Sequence, residues 1–297
     1  MRYFTSGGTV FIRGAFRAAS TGISGGIRDV TTLFNHTVVP GWDHAHPEKE
    51  IELVAAAAGA GPAVFGLLTA VPIRHLCVLQ YDAITVFVTA GIRQEQDAPG
   101  AGTINIIAYS SEGMEDAALL ETILVATEAK AQALLAAGAG SGTSTDAVIA
   151  ACEGEVRHRY AGRITEPGRR VREAVLKGVP EALRRYTRGA ATEEPAFFIY
   201  SRLEGGHWVE WSPVNCPYYP CHFAGQACDF CYCPFYPCKD ETLGEWSTGS
   251  NGGKVWNCSR CTLLHEPAVA AYLKRYPDAP REELVRYRTQ QKKKITP

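Results

Sequence analysis

The sequence predicts an α+β fold, a mixed or antiparallel sheet packed with helices, joined to a small cysteine-rich unit stabilised by metal. Three observations carry this expectation. Strand-like apolar runs gather at 75–109 and the long helical patterns follow them, an order that favours an α+β sandwich over regular βαβ winding. Eight of the ten cysteines lie between Cys216 and Cys261. Ahead of them, TRGAATEEP (187–195) is small, charged and closed by a proline, the composition of a linker. Two domains are therefore expected, at residues 1–188 and 196–297.

Taken in order, an Ala-rich helix should open at Pro47, a good first-turn residue, and end before Gly59 and Gly61. HLCVLQY (75–81) and AITVFVTA (83–90) read as strands separated by Asp82 alone, either an antiparallel pair or one bulged strand. GTINIIAY (102–109) is a third strand. Residues 115–137 contain neither Gly nor Pro and place Leu120, Leu124, Thr127, Ala131 and Leu134 on one stripe, so a long helix should bury that stripe. The loop GAGSGTSTD leads into the strand AVIAAC (147–152). A last helix starts near Pro167 and buries Val171, Val175, Val179 and Leu183, with a kink at Pro180. The terminal KKK (292–294) reads as a frayed tail.

A hydrophobic fraction of 46% and a charged fraction of 21% are those of a soluble globular protein. The formal net charge of -1 argues against nucleic acid as a partner. Residues 155–188 are locally basic, ten Lys/Arg against four Glu, which suits a solvated helix face or a surface attracting an anion. MRYFTSGGTVFIRGAF lacks the pattern of a signal peptide, and the apolar stretch 64–79 is broken by Pro72, Arg74 and His75. The expectation is a cytoplasmic protein with no membrane partner and with reduced thiols.

Reduced thiols at this density read as metal ligands. NCPYYPCH (215–222) and YCPFYPCK (232–239) repeat one motif. Cys228-x2-Cys231 and Cys258-x2-Cys261 have the knuckle spacing that lets two pairs grip one tetrahedral ion, and Cys216, Cys221, Cys233 and Cys238 could supply a second set. His222 and His265 are spare ligands, and Tyr218, Tyr219, Phe235 and Tyr236 should give apolar cover. One or two structural zinc ions are expected and no organic cofactor. Iron–sulfur clusters share the four-thiolate chemistry, and a disulfide set fits an oxidising compartment. A structural zinc contributes on the order of 10–16 kcal/mol of apparent binding energy, enough to fold a small module. Four thiolates leave no vacant position for substrate, so the chemistry should lie upstream.

Upstream, LFNHTVVPGWDHAHPEKE holds Asn35, His36, Asp43, His44 and His46. His36, after the apolar pair Leu33-Phe34, is the candidate general base; His36, His44 and His46 could instead hold a metal. On the long helix, Thr127 and Lys130 share a face while Glu128 and Lys130 do not, and a Lys at the edge of the apolar stripe needs a partner or snorkels. SGTSTD (141–146) combines flexible backbone, Thr143, Thr145 and the carboxylate of Asp146, a loop able to aim N–H groups at an oxyanion. Asn105 inside a strand should contact loop backbone or ligand, because a buried unpaired amide costs ~1–3 kcal/mol.

In this order the pieces resemble one family, the adenosylcobinamide amidohydrolases (the CbiZ type). They are STGISGG (20–26), LFNH (33–36), FGLLTAV (65–71), TVFVTAG (85–91), GTINII (102–107), ATEAK (126–130), GSGTSTDAV (140–148) and YAG (160–162). IRQEQDAPGAG (92–102) departs from the Asn/Gly-rich pattern expected there. The resemblance implies a salvage hydrolase that cleaves the amide joining aminopropanol to the corrin propionate, a corrinoid small-molecule substrate, and yields adenosylcobyric acid. For such chemistry His36 would be the base, and Glu128 or Asp146 the orienting or acid group. Asn35, Asn105, Lys130, Thr143 and Thr145 would be oxyanion or substrate contacts. A nucleophilic Ser20, Thr21 or Thr143 is the variant, and Cys152, ending a buried strand, should be inert. The second part is similar to a small cysteine-rich domain found beside such enzymes. The rival class is a corrinoid or metal carrier without catalysis.

Overall fold

The computed structural model describes residues 1–39, 41–92, 102–190, 194–201, 206–211, 216, 219–231, 233–248, 254–276 and 279–295. It divides into two compact units, one of residues 3–211 with Met1 and one of residues 212–297 with Arg2.

The first unit is built on a ten-stranded mixed sheet. Its strands are β1 (Arg2–Ser6), β2 (Thr9–Ser20), β3 (Gly26–Thr37), β4 (Val64–Thr69), β5 (Cys77–Tyr81), β6 (Ile84–Gly91), β7 (Thr103–Ser110), β9 (Ala147–Cys152), β11 (Ala196–Ser201) and β12 (His207–Trp211). They run in the order β12-β11-β5-β6-β7-β9-β2-β3-β4, with β1 on β2. A two-stranded ladder of β8 (Gly113–Met114) and β10 (Val156–His158) stands apart. The pairs β3–β4, β7–β9 and β5–β11 are parallel and the others in the large sheet that are paired by register are antiparallel.

Strand alternation sorts the core into layers. Val86, Val88, Ile104 and Ile106 face helices α2 (Asp116–Ala136) and α3 (Glu166–Arg188). Phe87, Ile107 and Ile149 face the other way and pack on Ile12, Leu33, Phe65 and Leu67 of β2–β4. The far side of β2–β4 carries Phe11, Phe34 and Val64, which Ile51 and Ala55 of α1 (Pro47–Ala57) cover. Strands buried on both faces need no polar alternation, which is why β6 and β7 read as continuous apolar runs.

Asp82, at φ 52°, makes the tight turn that pairs Tyr81 with Ile84 in the β5–β6 hairpin. The long helix is present, but its expected stripe is displaced. Leu120 and Leu124 are 49% and 63% exposed, while Ala118, Leu119, Thr122, Val125, Ala126, Ala129 and Ala133 are buried. Small side chains bring α2 close to the sheet, so an alanine-rich face with Leu119 and Leu134 packs inward while Leu120, Leu124 and Leu135 stay outside; of the expected stripe only Leu134 is buried. Helix α3 buries Val171, Val175 and Val179 as expected, leaves Leu183 half-buried, and continues through Pro180.

The expected linker does not divide the units. Residues 191–193 lie outside the described residues, but Ala196 N donates to Leu76 O at 2.9 Å and β11 then runs parallel to β5. Ala196 and Phe198 are 5% and 2% exposed in the core with α3. The boundary therefore follows Trp211 rather than residues 187–195, because β11 and β12 complete the first sheet.

The second unit has a hairpin of β13 (Glu245–Thr248) and β14 (Lys254–Asn257), then helices α4 (Pro267–Arg275) and α5 (Arg281–Ile295). Leu243, Leu263, Leu264, Val269, Leu273 and Leu284 form its core. Tyr219 and Tyr236 are 46% and 52% exposed, so only Phe235 of the expected cover packs on that core among the described residues. Tyr218 lies outside them. The chain through Lys292 is helical, so the terminal lysines continue α5 instead of forming a tail.

Candidate functional site

Adjacent residues on a strand face opposite ways, and this decides the fate of Asn35 and His36. Asn35, 2% exposed, faces β6 and β7, where its Nδ2 donates to Thr89 Oγ1 at 2.8 Å. Asn105 on β7, 1% exposed, donates through Nδ2 to Asn35 Oδ1 and to Leu68 O, each at 2.9 Å. Two residues along the same face, Thr103 meets Thr145 hydroxyl to hydroxyl at 3.0 Å, and Thr145 also reaches Gly102 O at 3.1 Å. The start of β7, the end of β6 and the end of β3 thus share a buried polar cluster.

At the mouth of β9 stands a second cluster. Lys130 Nζ lies 2.5 Å from Asp146 Oδ2, and the two side chains are 9% and 7% exposed. Asp146 also accepts from Thr143 N at 3.0 Å, Thr143 Oγ1 at 2.6 Å and Ile104 N at 2.9 Å. Gly142 closes over this pair: a Cβ there would stand 2.7 Å from Asp146 Oδ2 and 3.0 Å from Lys130 Nζ. The backbone contact at Ile104 joins this cluster to the strand that carries Thr103 and Asn105. Lys130 is buried although the expected reason fails, since Thr127 is exposed.

Glu128 is not with them. Its side chain is 59% exposed, and Arg163 lies 3.8 Å away. His36 faces α1, where Nδ1 meets Thr9 Oγ1 at 2.6 Å and Nε2 meets Glu50 Oε1 at 3.3 Å. Burial lowers its pKa and Glu50 partly offsets that. Hydroxyl, imidazole and carboxylate in line are the arrangement that activates a nucleophile, although Thr9 is only 2% exposed. The expected grouping of His36 with Asn35 therefore fails by strand alternation. Thr9, Glu50, Thr89 and Thr103 were missed. Only Thr89 left a signal, sharing the alternate positions of TVFVTA with Phe87.

His44 packs on the Trp42 ring at 4.6 Å and His46 lies 3.4 Å from Glu48, so the three histidines do not converge. Ser20 Oγ accepts from Gly22 N in the turn after β2, and Thr21 Oγ1 accepts from Val148 N at 2.9 Å, tying that turn to β9. Cys152 is buried with its pKa raised by burial, as an inert thiol should be. Most of the departing loop 92–102 lies outside the described residues.

In the second unit the tandem motifs fold alike. Tyr219 N donates to Cys216 O and Tyr236 N to Cys233 O, each at 3.1 Å, and a cis proline follows each tyrosine. Burial raises the Cys231 pKa, with further contributions from Cys221, Cys228 and Cys216; burial likewise pushes Cys233 up to about 11, with smaller contributions from Cys261, Cys258 and Cys238. The thiols that act on Cys231 form a first set with it, and those that act on Cys233 a second. Gln226, 7% exposed, ties the first set together by donating from Nε2 to Cys221 Sγ at 3.2 Å and Cys228 Sγ at 3.3 Å. His222 stacks on His265 at 4.3 Å. Among the described residues no three His, Cys, Asp or Glu side chains are arranged to hold a metal ion. No helix among them is long and apolar enough to cross a membrane.

Residues 9–191 match the model of the adenosylcobinamide amidohydrolase family, and residues 207–288 match the cysteine-rich small domain. The chain is 40% identical over 195 residues to an adenosylcobinamide amidohydrolase of Methanosarcina mazei, covering 62% of this chain and 98% of that protein. It is 31% identical over 184 residues to one of Halobacterium salinarum, covering 56% and 80%. A 61-residue stretch is 54% identical to an uncharacterised protein of Methanocaldococcus jannaschii, covering 20% of this chain and 51% of that protein. No solved structure matches.

Proposed function

Because the chain belongs to the adenosylcobinamide amidohydrolase family, we propose that it hydrolyses the aminopropanol amide of adenosylcobinamide. Water adds across the C–N bond: its oxygen joins the carbonyl carbon and a proton joins the amine, giving adenosylcobyric acid and free aminopropanol. The observation that carries the reading is the match over 183 residues of the first unit, 9–191, which contains both polar clusters. Incubation of the protein with adenosylcobinamide should release adenosylcobyric acid, detected by mass spectrometry; an unchanged substrate sinks the reading.

The reaction centre we assign to the end of the sheet where Asn35, Thr89, Asn105, Thr103 and Thr145 meet the Lys130–Asp146 pair. Asp146, holding four donors, acts as an orienting carboxylate for the Thr143–Thr145 loop and keeps the Lys130 charge in place. A second placing of proton transfer, at His36, is favoured by its alignment with Thr9 and Glu50. His36→Gln separates the two: loss of turnover by ~10²–10⁴-fold assigns the proton transfer to His36, and turnover like the parent's leaves it with the Asp146 side.

For the cysteine-rich unit we propose two structural zinc ions, one on Cys216, Cys221, Cys228 and Cys231 and one on Cys233, Cys238, Cys258 and Cys261. The donor sets suit zinc, since four thiolates make a closed tetrahedral site. Gln226 would fix the first set from outside the ligands. Intracellular placement is part of the same proposal, because free thiols persist in a reducing compartment.

A further inference from the structure

We infer that Asn105 recognises the N–H of the scissile amide, using Oδ1 as an acceptor, instead of donating to the oxyanion. The inference rests on the amide-hydrolase reading and assigns one atom of the site its partner. A carboxamide offers two N–H donors and one carbonyl acceptor. Both Asn105 donors are spent, on Asn35 Oδ1 and on Leu68 O. Those two oxygens also fix the orientation, since the flipped amide would set oxygen against oxygen twice. No hydrogen is left for a developing alkoxide.

The acceptor remains. Asn105 Oδ1 is buried and accepts no hydrogen bond from the described residues. A buried acceptor without a donor is a standing cost, removed by a ligand or an ordered water that brings one. The neighbours on β7 become more exposed towards the start of the strand. Exposure rises from Asn105 at 1% to Thr103 at 6% and then to the exposed Thr145 bonded to it. Asn105 thus lies two residues inward, on the same face of β7, from a threonine bonded to the surface loop. Its position is held on two sides, by Leu68 O and by Asn35, itself anchored on Thr89. A secondary amide brings an N–H to this acceptor, and an ester brings none.

The test compares adenosylcobinamide with the ester in which oxygen replaces the bridging N–H, measuring half-saturation in single turnover for the parent and for Asn105→Ala. The parent should half-saturate with the amide at a concentration about 5- to 150-fold lower than with the ester, the ratio set by leaving a buried acceptor unpaired. Asn105→Ala should raise half-saturation for the amide and leave the ester nearly unchanged, which a residue that merely supports the fold would not do. Equal half-saturation of the parent with both substrates, or an equal rise for both in the variant, overturns the inference. The parent measurement decides alone if Asn105→Ala does not fold. Hydrolysis of neither substrate overturns the reaction and the inference together; hydrolysis of both without preference overturns the inference only.

Discussion

Replacing Asp146 by Asn should destabilise the first unit strongly while changing few atoms. Asp146 Oδ1 accepts from Ile104 N and Thr143 Oγ1, and an asparagine Oδ1 could keep both. Oδ2 accepts from Lys130 Nζ and Thr143 N, and there the new Nδ2 would set a donor against two donors. The ammonium of Lys130, whose side chain is 9% exposed, would lose its counter-charge. Stranding one member of a buried pair costs about 3–5 kcal/mol. For a unit of this size ~2–4 °C of melting temperature is lost per kcal/mol, so a drop on the order of 10 °C is expected. Urea unfolding followed by circular dichroism measures the change. Lys130→Met on the variant background should recover part of the loss, since it removes the stranded charge. An Asp146→Asn protein within about 0.5 kcal/mol of the parent, as at an ordinary surface site, would refute the reasoning.

Two further outcomes rest on the burial of His36 and on the strand order. His36 is held below its ordinary pKa by burial, so the unfolded chain takes up the proton first as pH falls below ~6.5; the parent's stability from this residue is present above that value and is lost below it. Urea midpoints of the parent should therefore fall relative to those of His36→Gln between pH 7 and pH 5, and a gap that is constant or moves the other way contradicts the burial. A fragment of residues 1–211 should fold with the parent's cooperativity, whereas 1–190 lacks the buried Phe198 and leaves β5 an open edge; a Phe198 deletion alone is worth about 3–5 kcal/mol, so equal melting of the two fragments would place the boundary back at the linker.

The sequence carried the elements better than their faces. Helices α1, α2 and α3 and strands β5, β6, β7 and β9 lie where periodicity and punctuation put them. The β2–β3 hairpin stayed hidden because the register shifts between Arg13 and Phe16, which resets the alternation, and because Arg13 and Arg17 interrupt the apolar run. The buried face of α2 is not the one its stripe suggests because four of its residues are alanine, whose weight in a hydrophobic stripe is small beside that of Leu120 and Leu124. At the site, Asn105 was legible as a polar residue that a buried strand does not need, and Lys130 and Asp146 as groups needing partners. Their pairing was not legible, since the turn that folds 140–146 back on α2 depends on Gly142 approaching both. His36 and Asn35, neighbours in sequence, were separated by the single rule of alternation once β3 was known to be a strand.

The two zinc sets proposed above are not equally built into the unit. Cys216 to Cys231 closes a loop of sixteen positions and Cys233 to Cys261 one of twenty-nine, and the second encloses the β13–β14 hairpin. Loop closure grows only slowly with length, so entropy alone separates the two sets by little. Packing separates them more. Cys233, Cys238 and Cys261 lie against the core of Leu243, Leu263, Leu264 and Leu273, whereas Cys221 is exposed and is bound to Gln226. Removing a ligand of the second set should therefore unfold the unit, and removing one of the first should only loosen a loop. Cys261→Ser is expected to lose both zinc ions and the near-ultraviolet signal of the Trp246–Trp256 pair, which stands at 5.3 Å. Cys221→Ser should lose one zinc and keep that signal. Zinc content by elemental analysis and near-ultraviolet circular dichroism read the two outcomes directly. If Cys221→Ser loses the tryptophan signal as completely as Cys261→Ser, the sets are not independent and a grouping across them must be right.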